Sequence, residues 1–259
     1  MDLGIAGKRA LVCASSKGLG RGCAMALAEA GVSLVLNARG ADALEATAEE
    51  IRSAHDVEVT AVAADITTED GRAKVLDAAG TLDILVNNAG GPPPGMWSDW
   101  EREDFIQALE ANMLTPIALM KTLLPGMIER KWGRVVNITS ASVRSPIAQL
   151  GLSNSARAGL TGYVAGTARQ VARHGVRINN LLPGLHDTDR ARSLVEATAK
   201  REGISVEEAA QARDDANPTG RIGRADEFGA TCAFMCSVHA GYMVGQNILL
   251  DGGAFNSTI

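Results

Sequence analysis

The 259-residue chain has no apolar run of about 18 residues and no cluster of basic side chains. The first absence argues against a transmembrane helix. The second, together with a net charge of −5, argues against binding to nucleic acid. The N-terminus also lacks the charged start, apolar stretch and cleavage site of a signal peptide. We therefore expect a cytoplasmic protein that acts on a small molecule rather than on a membrane or a nucleic acid.

Cysteine is scarce, and the four residues Cys13, Cys23, Cys232 and Cys236 form no Cys-x-x-Cys pair. Cys232 and Cys236 lie four residues apart in a helix-like segment, so they would share one face of that helix. Two readings stay open for them: a metal or redox pair, or buried apolar thiols. We expect no metal site.

Short apolar runs alternate along the chain with longer helical patterns. The runs do not alternate between apolar and polar residues, which is typical of strands buried on both faces of a parallel sheet. Such strand–helix alternation predicts a single α/β domain over residues 1–259, a Rossmann-type doubly wound parallel sheet with helices on both faces. The predicted strands are Ala10–Ala14, Ser33–Leu36, Val59–Ala63, Ile84–Val86, Val135–Ile138, Ile178–Leu182 and Ile248–Leu250; the predicted helices include Gly20–Ala30, Ala41–Ala54, Asp104–Ile128, Gly159–His174 and Asp226–Ser237.

The stretch over residues 186–219 is polar, charged and poor in strand signal. We expect it to leave the core as two helices, near Ala191–Arg201 and Ser205–Ala216. Because ligands of doubly wound sheets bind beyond the carboxyl ends of the strands, this excursion is a candidate substrate lid.

Glycines follow the first predicted strand, in the order Cys13-Ala14-Ser15-Ser16-Lys17-Gly18-Leu19-Gly20. A glycine-rich turn between a strand and a helix brings backbone close to a pyrophosphate, and the helix N-terminus supplies amide donors. An ordinary turn can have the same composition. We infer a phosphate-binding loop because these glycines lie between the first strand and the helix that follows it.

Several further motifs occur in a characteristic order: Asn87-Asn88-Ala89-Gly90 after the fourth strand, Asp65-Ile66 after the third, Pro183-Gly184 with Thr188, and the closing MVGQNILLDGG. With the glycine loop, they resemble the short-chain dehydrogenase/reductase family over nearly the whole chain, closest to its 3-oxoacyl-carrier-protein reductase branch. The resemblance implies a nicotinamide cofactor, held by Ser16, Lys17, Gly18, Leu19, Gly20, Arg39, Asp65, Ile66, Asn88, Ala89, Gly90, Pro183, Gly184 and Thr188.

The second strand ends in Asn37-Ala38-Arg39, without the acidic residue that takes the ribose hydroxyls of NAD. Lys17 and Arg39 could bind the 2′-phosphate of NADP together, or could be solvated surface charges. We expect NADP, with NAD the less favoured cofactor. Ala14 departs from the family's glycine, and a side chain there is unfavourable if the turn needs a positive φ.

The family's active site is an Asn, Ser, Tyr, Lys set. Asn112 and Ser140 match the asparagine and the serine, but Ser153 and Arg157 stand where the tyrosine and lysine belong. A spacing of four places these two on one helix face. Tyr163, one of only two tyrosines, is too far along the chain to replace the missing phenol, and we expect it to be structural.

The missing tyrosine leaves the proton donor open. A serine hydroxyl cannot be tuned to a pKa near neutrality, and arginine stays protonated. His186, two residues past Pro183-Gly184, is the candidate substitute; the alternative is a loop histidine bonded to backbone.

The resemblance thus implies an NADP-dependent oxidoreductase acting on a carbonyl or alcohol, with an atypical catalytic set of Asn112, Ser140, Ser153, Arg157 and His186. Two other classes stay open: a non-redox lyase, dehydratase or isomerase on the same fold, or a cofactor-binding protein without catalysis. Apolar faces over Met113–Met127 and Ala230–Met235 favour a homo-oligomer, a tetramer or a dimer.

Overall fold

The computed structural model describes residues 1–258, apart from the side chain at position 190. The strands are β1 Arg9–Cys13, β2 Ser33–Ala38, β3 Val59–Ala63, β4 Ile84–Asn87, β5 Gly133–Ile138, β6 Val176–Pro183 and β7 Asn247–Leu250; the helices are α1 Gly18–Glu29, α2 Ala41–Ala54, α3 Glu69–Ala79, α4 Arg102–Leu109, α5 Thr115–Glu129, α6 Gly151–Val171, α7 Asp189–Glu202, α8 Val206–Asp215 and α9 Ala225–Cys236.

All seven strands pair in parallel, in the order β3-β2-β1-β4-β5-β6-β7. The strand order reverses between β1 and β4, and a crevice for ligands opens at the carboxyl ends beside such a reversal. The predicted doubly wound sheet is confirmed, and each of the seven predicted runs matches an observed strand to within two residues at either end.

A hydrophobic core lies on each face of the sheet. Helices α1 and α9 cover one face with residues such as Leu27 and Phe228, and helices α5 and α6 cover the other with Leu119 and Leu160. Cys23, Cys232 and Cys236 are fully buried between α1 and α9. The hydrogen bond with Cys23, together with burial, raises the pKa of Cys232, so these cysteines pack as apolar thiols. Within the described residues, no group of three or more His, Cys, Asp or Glu side chains is placed to hold a metal ion.

Two helices differ from the prediction. The predicted helix Asp104–Ile128 is interrupted by a π-helical turn at Glu110–Leu114, which separates α4 from α5. Helix α6 begins at Gly151, eight residues before the predicted start at Gly159. The Trp100 ring lies 2.3 Å from where a Cβ at position 151 would sit. The first residue of α6 is therefore a position that has no room for a side chain, although glycine has low helix propensity.

The excursion over residues 186–219 forms α7 and α8, as expected. The two helices pack on each other through a small cluster of Val195, Ala199 and Ala209, separate from the two main cores. Among residues 1–258, no helix has the length and apolarity needed to cross a membrane.

Candidate active site

One cleft of about 1480 Å³ opens at the carboxyl ends of the strands. This volume exceeds the roughly 300–1,000 Å³ of a pocket for a single drug-sized ligand, so it has room for a dinucleotide and a substrate. Except for Gly18 and Gly20, every residue that the sequence assigned to the site lines this cleft.

The glycine loop brings backbone against backbone at the start of the cleft. Gly18 has a φ of +57°, and a Cβ at Gly20 would lie 2.2 Å from the carbonyl oxygen of Ala14. The Asn88 Nδ2 donates to that same carbonyl at 3.4 Å. Gly18 and Gly20 therefore allow the tight turn of the loop without lining the cleft themselves. The rest of the loop and the N-terminus of α1 form a surface that fits a pyrophosphate.

Two departures from the family fingerprint have different consequences. Ala14 has a φ of +48°, so the position does need the left-handed conformation and its Cβ is strained. Cys13 is fully buried, and burial raises the pKa of its thiol to about 12, so it stays neutral at the end of β1.

The two cations assigned to the cofactor phosphate both lie near carboxylates. The Lys17 Nζ forms a salt bridge with Asp189 Oδ2 at 2.9 Å. Hydrogen bonds from Thr67 lower the pKa of Asp65, and the charge of Arg39 lowers it further. Sequence reasoning missed the Asp189 contact, because 172 positions separate it from Lys17.

Asn37, the last polar residue of β2 before Arg39, is buried and donates through Nδ2 to the carbonyls of Val62 and Ala64. The Asn37 side chain is thus already bonded to β3 and to the residue after it. No acidic residue follows within Asn37-Ala38-Arg39, so β2 ends without a carboxylate for ribose hydroxyls. The end of this strand therefore fits a 2′-phosphate better than it fits bare ribose hydroxyls.

A ladder of asparagine amides crosses the carboxyl half of the sheet. Asn87 donates to Asn137 at 2.8 Å, Asn137 to Asn180 at 3.2 Å and Asn180 to Asn247 at 2.7 Å. These residues share one register across β4, β5, β6 and β7. The ladder links these four strands side by side. Asn87 and Asn137 lie near the carboxyl ends of β4 and β5, whereas Asn180 lies inside β6 and Asn247 is the first residue of β7.

Ser140 and Ser153 approach the cleft from β5 and α6. The Ser140 Oγ accepts a hydrogen bond from the Ser142 amide at 3.1 Å. The Ser153 Oγ accepts one from the Arg157 Nε at 3.2 Å. Since each oxygen already accepts an N–H, each hydroxyl can turn its own proton toward the cleft.

Arg157 is buried, and its guanidinium is engaged by the protein. Besides the bond to Ser153, Nη1 donates to the Ile138 carbonyl at 2.8 Å and Nη2 to the Ala89 carbonyl at 3.3 Å. The sequence placed Ser153 and Arg157 on one helix face, and this is confirmed. The further contacts make Arg157 a clamp on the ends of β5 and β4.

Asn112 lies in the π-helical turn between α4 and α5. It is buried; Nδ2 donates to the Ala108 carbonyl at 3.3 Å, and Oδ1 has no protein partner. Ser142 Oγ and Thr139 Oγ1 are likewise buried without a partner, and all three residues line the cleft. Buried polar atoms of this kind ordinarily receive a hydrogen bond from water or a ligand.

His186 is buried, and its ring packs edge-on against Phe228 at 5.2 Å between centroids. Its Nδ1 lies 3.3 Å from the Gly184 carbonyl oxygen, and burial lowers the pKa of the imidazole. These contacts match the loop histidine bonded to backbone, the alternative to a proton donor. Asp187 and Asp189 pair with Arg192, and the Thr188 Oγ1 caps α7.

Tyr163 is partly buried against the core between the sheet and helices α5 and α6. It lies outside the residues that line the cleft. Its expected structural role fits this place, and the cleft holds no phenol among its lining residues.

Comparison with known proteins agrees with this geometry. Residues 13–254 match the family described as enoyl-(acyl carrier protein) reductase. The NADPH-dependent reductase BacG of Bacillus subtilis (strain 168) is 31% identical over 255 residues, which cover 96% of this chain and 98% of that protein. The D-beta-hydroxybutyrate dehydrogenase of Cupriavidus necator is 33% identical over 95% of this chain and 97% of its own length.

Among solved structures, L-sorbose reductase from Gluconobacter frateurii in complex with NADPH and L-sorbose superposes with a TM-score of 0.94. That protein is 29% identical, and the match covers 99% of this chain and 100% of the other. The matching family, the full-length relatives and the shared sheet topology all agree. The chain belongs to the short-chain dehydrogenase/reductase family.

Proposed function

We propose that this protein is an NADP-dependent oxidoreductase that interconverts a carbonyl compound and an alcohol. The observation that carries the proposal is that one cleft brings together two sets of residues. The glycine loop, Asn88-Ala89-Gly90 and Pro183-Gly184 line it, and so do the hydroxyl residues Ser140 and Ser153. Relatives named as NADPH-dependent reductases support the assignment.

The residues present fit a phosphorylated dinucleotide. The loop around Gly20 offers a close backbone approach, and Lys17 and Arg39 supply positive charge where β2 ends without an acid. A nicotinamide cofactor held by these residues would supply the donor or acceptor of a hydride. The protein's own part is to hold the substrate oxygen and to control the proton.

Ser140 and Ser153 would hold that oxygen together. Each hydroxyl accepts one N–H bond and retains a proton to donate, which suits the negative charge that develops on a carbonyl oxygen during hydride transfer. Arg157 acts through Ser153 by fixing its orientation. Neither serine hydroxyl has a pKa suited to proton transfer at neutral pH, so water in the cleft would supply the proton.

This arrangement predicts weak reduction of ordinary ketones, since general acid–base catalysis typically contributes about 10²–10⁴-fold. The test is to incubate the protein with NADPH and a panel of carbonyl compounds, following nicotinamide absorbance and product together. Oxidation of NADPH matched by alcohol formation supports the proposal. Product without a change in absorbance would instead identify a non-redox lyase, dehydratase or isomerase.

We also propose a homo-oligomer, a dimer or tetramer, in the cytoplasm. Apolar side chains that remain exposed on α9 and after it, Phe234, Val238 and Tyr242, support burial against a second copy. The four buried free cysteines fit a reducing compartment. Light scattering at micromolar concentration tests the assembly, and a stable monomer would contradict it.

A further inference from the structure

The salt bridge between Lys17 and Asp189 joins two elements that both face the cofactor end of the cleft. Lys17 is the N-cap residue of α1 and lines the cleft. Asp189 is the first residue of α7. The two carboxylate oxygens of Asp189 serve different cations, with Oδ2 at 2.9 Å from Lys17 and Oδ1 at 2.6 Å from Arg192. The lysine assigned to the 2′-phosphate therefore already has an anionic partner.

We propose that Asp189 is a specificity-determining residue that competes with the 2′-phosphate of NADP for Lys17. This inference rests on the proposed function, because it takes NADP to be the cofactor. A phosphate that approaches Lys17 either displaces the carboxylate or shares the ammonium with it, and in both cases two anions come close together. Their repulsion weakens binding of NADPH and leaves NADH unaffected, since NADH carries no charge at that position.

The neighbourhood of Asp189 separates this role from a purely structural one. Thr188, and not Asp189, caps α7 with its side chain. Asp187, two residues earlier, pairs with the same Arg192 and is about equally exposed. Among the described side chains, however, it is Asp189 that reaches Lys17. Asp187→Asn is thus a matched control that removes an arginine partner and keeps the lysine pair.

The experiment measures dissociation constants for NADPH and NADH by calorimetry, with the wild type, Asp189→Asn, Asp187→Asn and Lys17→Met. Because exposed ion pairs are worth little and are screened by salt, Asp189→Asn should tighten NADPH by about two- to fivefold at low ionic strength. Half-molar salt should reduce that gain. Binding of NADH should stay unchanged, Asp187→Asn should behave as wild type for both cofactors, and Lys17→Met should weaken NADPH.

The remaining outcomes count against the inference in distinguishable ways. If Asp189→Asn leaves NADPH binding unchanged while the wild type prefers NADPH, the competition is wrong and the proposed function stands. Equal weakening of NADPH and NADH would show that the pair only latches α7 to the glycine loop. Absence of binding by either cofactor to the wild type would overturn the proposed function and this inference with it.

Discussion

The Nε of Arg157 donates a hydrogen bond to the Oγ of Ser153 one helical turn earlier, at 3.2 Å. The two residues that stand where the family resemblance leads us to expect a tyrosine and a lysine are thus bonded to each other. The rest of the guanidinium reaches the carbonyls of Ile138 and Ala89, at the ends of β5 and β4. The guanidinium of Arg157 is thus bonded to the Ser153 hydroxyl and to two backbone carbonyls of the protein.

Removing the clamp should destabilise the fold. Arg157→Met leaves the buried Ile138 carbonyl and the part-buried Ala89 carbonyl without this donor. Hydrogen bonds to charged groups are worth about 1.5–3 kcal/mol, so the free energy of unfolding should fall by about 2 kcal/mol. Denaturant titration measures this. Arg173→Met, at an exposed position after α6, is the control and should change little.

Restoring the family's pair tests the missing proton donor. Ser153→Tyr with Arg157→Lys should raise carbonyl reduction by about 10²-fold or more, the usual scale of an acid–base contribution. Ser153→Phe with Arg157→Lys fills the same space without a hydroxyl and should show no gain. Equal rates for the two double variants would mean that the ring volume, and not the phenol, limits turnover; strong wild-type activity would mean that another donor is already at work.

Ala14 provides a test of loop strain. Ala14→Gly relieves a φ of +48°, and the relief of about 1–2 kcal/mol exceeds the entropy that glycine adds to the unfolded chain. We expect a net gain of about 0.5–1 kcal/mol in the free energy of unfolding, with tighter NADPH binding. Lys131→Gly, at a φ of +56° outside the cleft, should stabilise similarly and leave NADPH affinity unchanged.

Arg39 should govern the choice of cofactor. Arg39→Asp removes a charged donor to the 2′-phosphate and adds an acceptor for ribose hydroxyls, so the ratio of NADPH to NADH affinity should fall about tenfold or more. Dissociation constants for both cofactors measure this shift. Arg102→Asp, an exposed change on α4, should leave the ratio as it is. Equal affinities in the wild type would refute the preference.

His186 should make stability depend on pH. Burial lowers its pKa below the ordinary 6.5, so the unfolded chain binds a proton more readily than the folded protein. The stability that His186 contributes is therefore fully present above pH 6.5. It is lost as the pH falls through the lower pKa that the imidazole has in the folded protein. Denaturant midpoints from pH 7.5 to 5 should fall less steeply in His186→Gln than in the wild type, whereas the exposed His174→Gln should follow the wild type. Parallel curves for all three proteins would contradict this.

The strands were predictable because strands buried on both faces of a parallel sheet appear in the sequence as short apolar runs. Their carboxyl ends lie at the same edge of the sheet. The residues assigned to the cleft followed from motifs at those ends. The start of α6 was not predicted, since glycine has low helix propensity and the Trp100 ring that excludes a side chain at Gly151 belongs to a distant segment. The π-helical turn around Asn112 was not predictable either, because its pattern of apolar residues is the same as that of an ordinary α-helix.

Side-chain partners distant in the sequence were also beyond prediction. Lys17 and Asp189 are 172 positions apart, and nothing in either segment indicates the other. Two acceptors of Arg157 are backbone carbonyls, which almost any residue offers, so the sequence could not identify Ile138 and Ala89 as its partners. Such pairings arise from the folded geometry, and a pattern of residue types does not encode them.

The engagement of Arg157 bears on how this lineage can change. Replacing Arg157 by lysine alone gives up a planar fork on two carbonyls before any phenol is present to benefit. Replacing Ser153 by tyrosine alone must fit a ring beside a guanidinium that is already bonded to that position. We therefore expect each single substitution to destabilise the site, and the two positions to be exchangeable only together. The hydrogen bond between Ser153 and Arg157 makes the two residues one unit toward mutation.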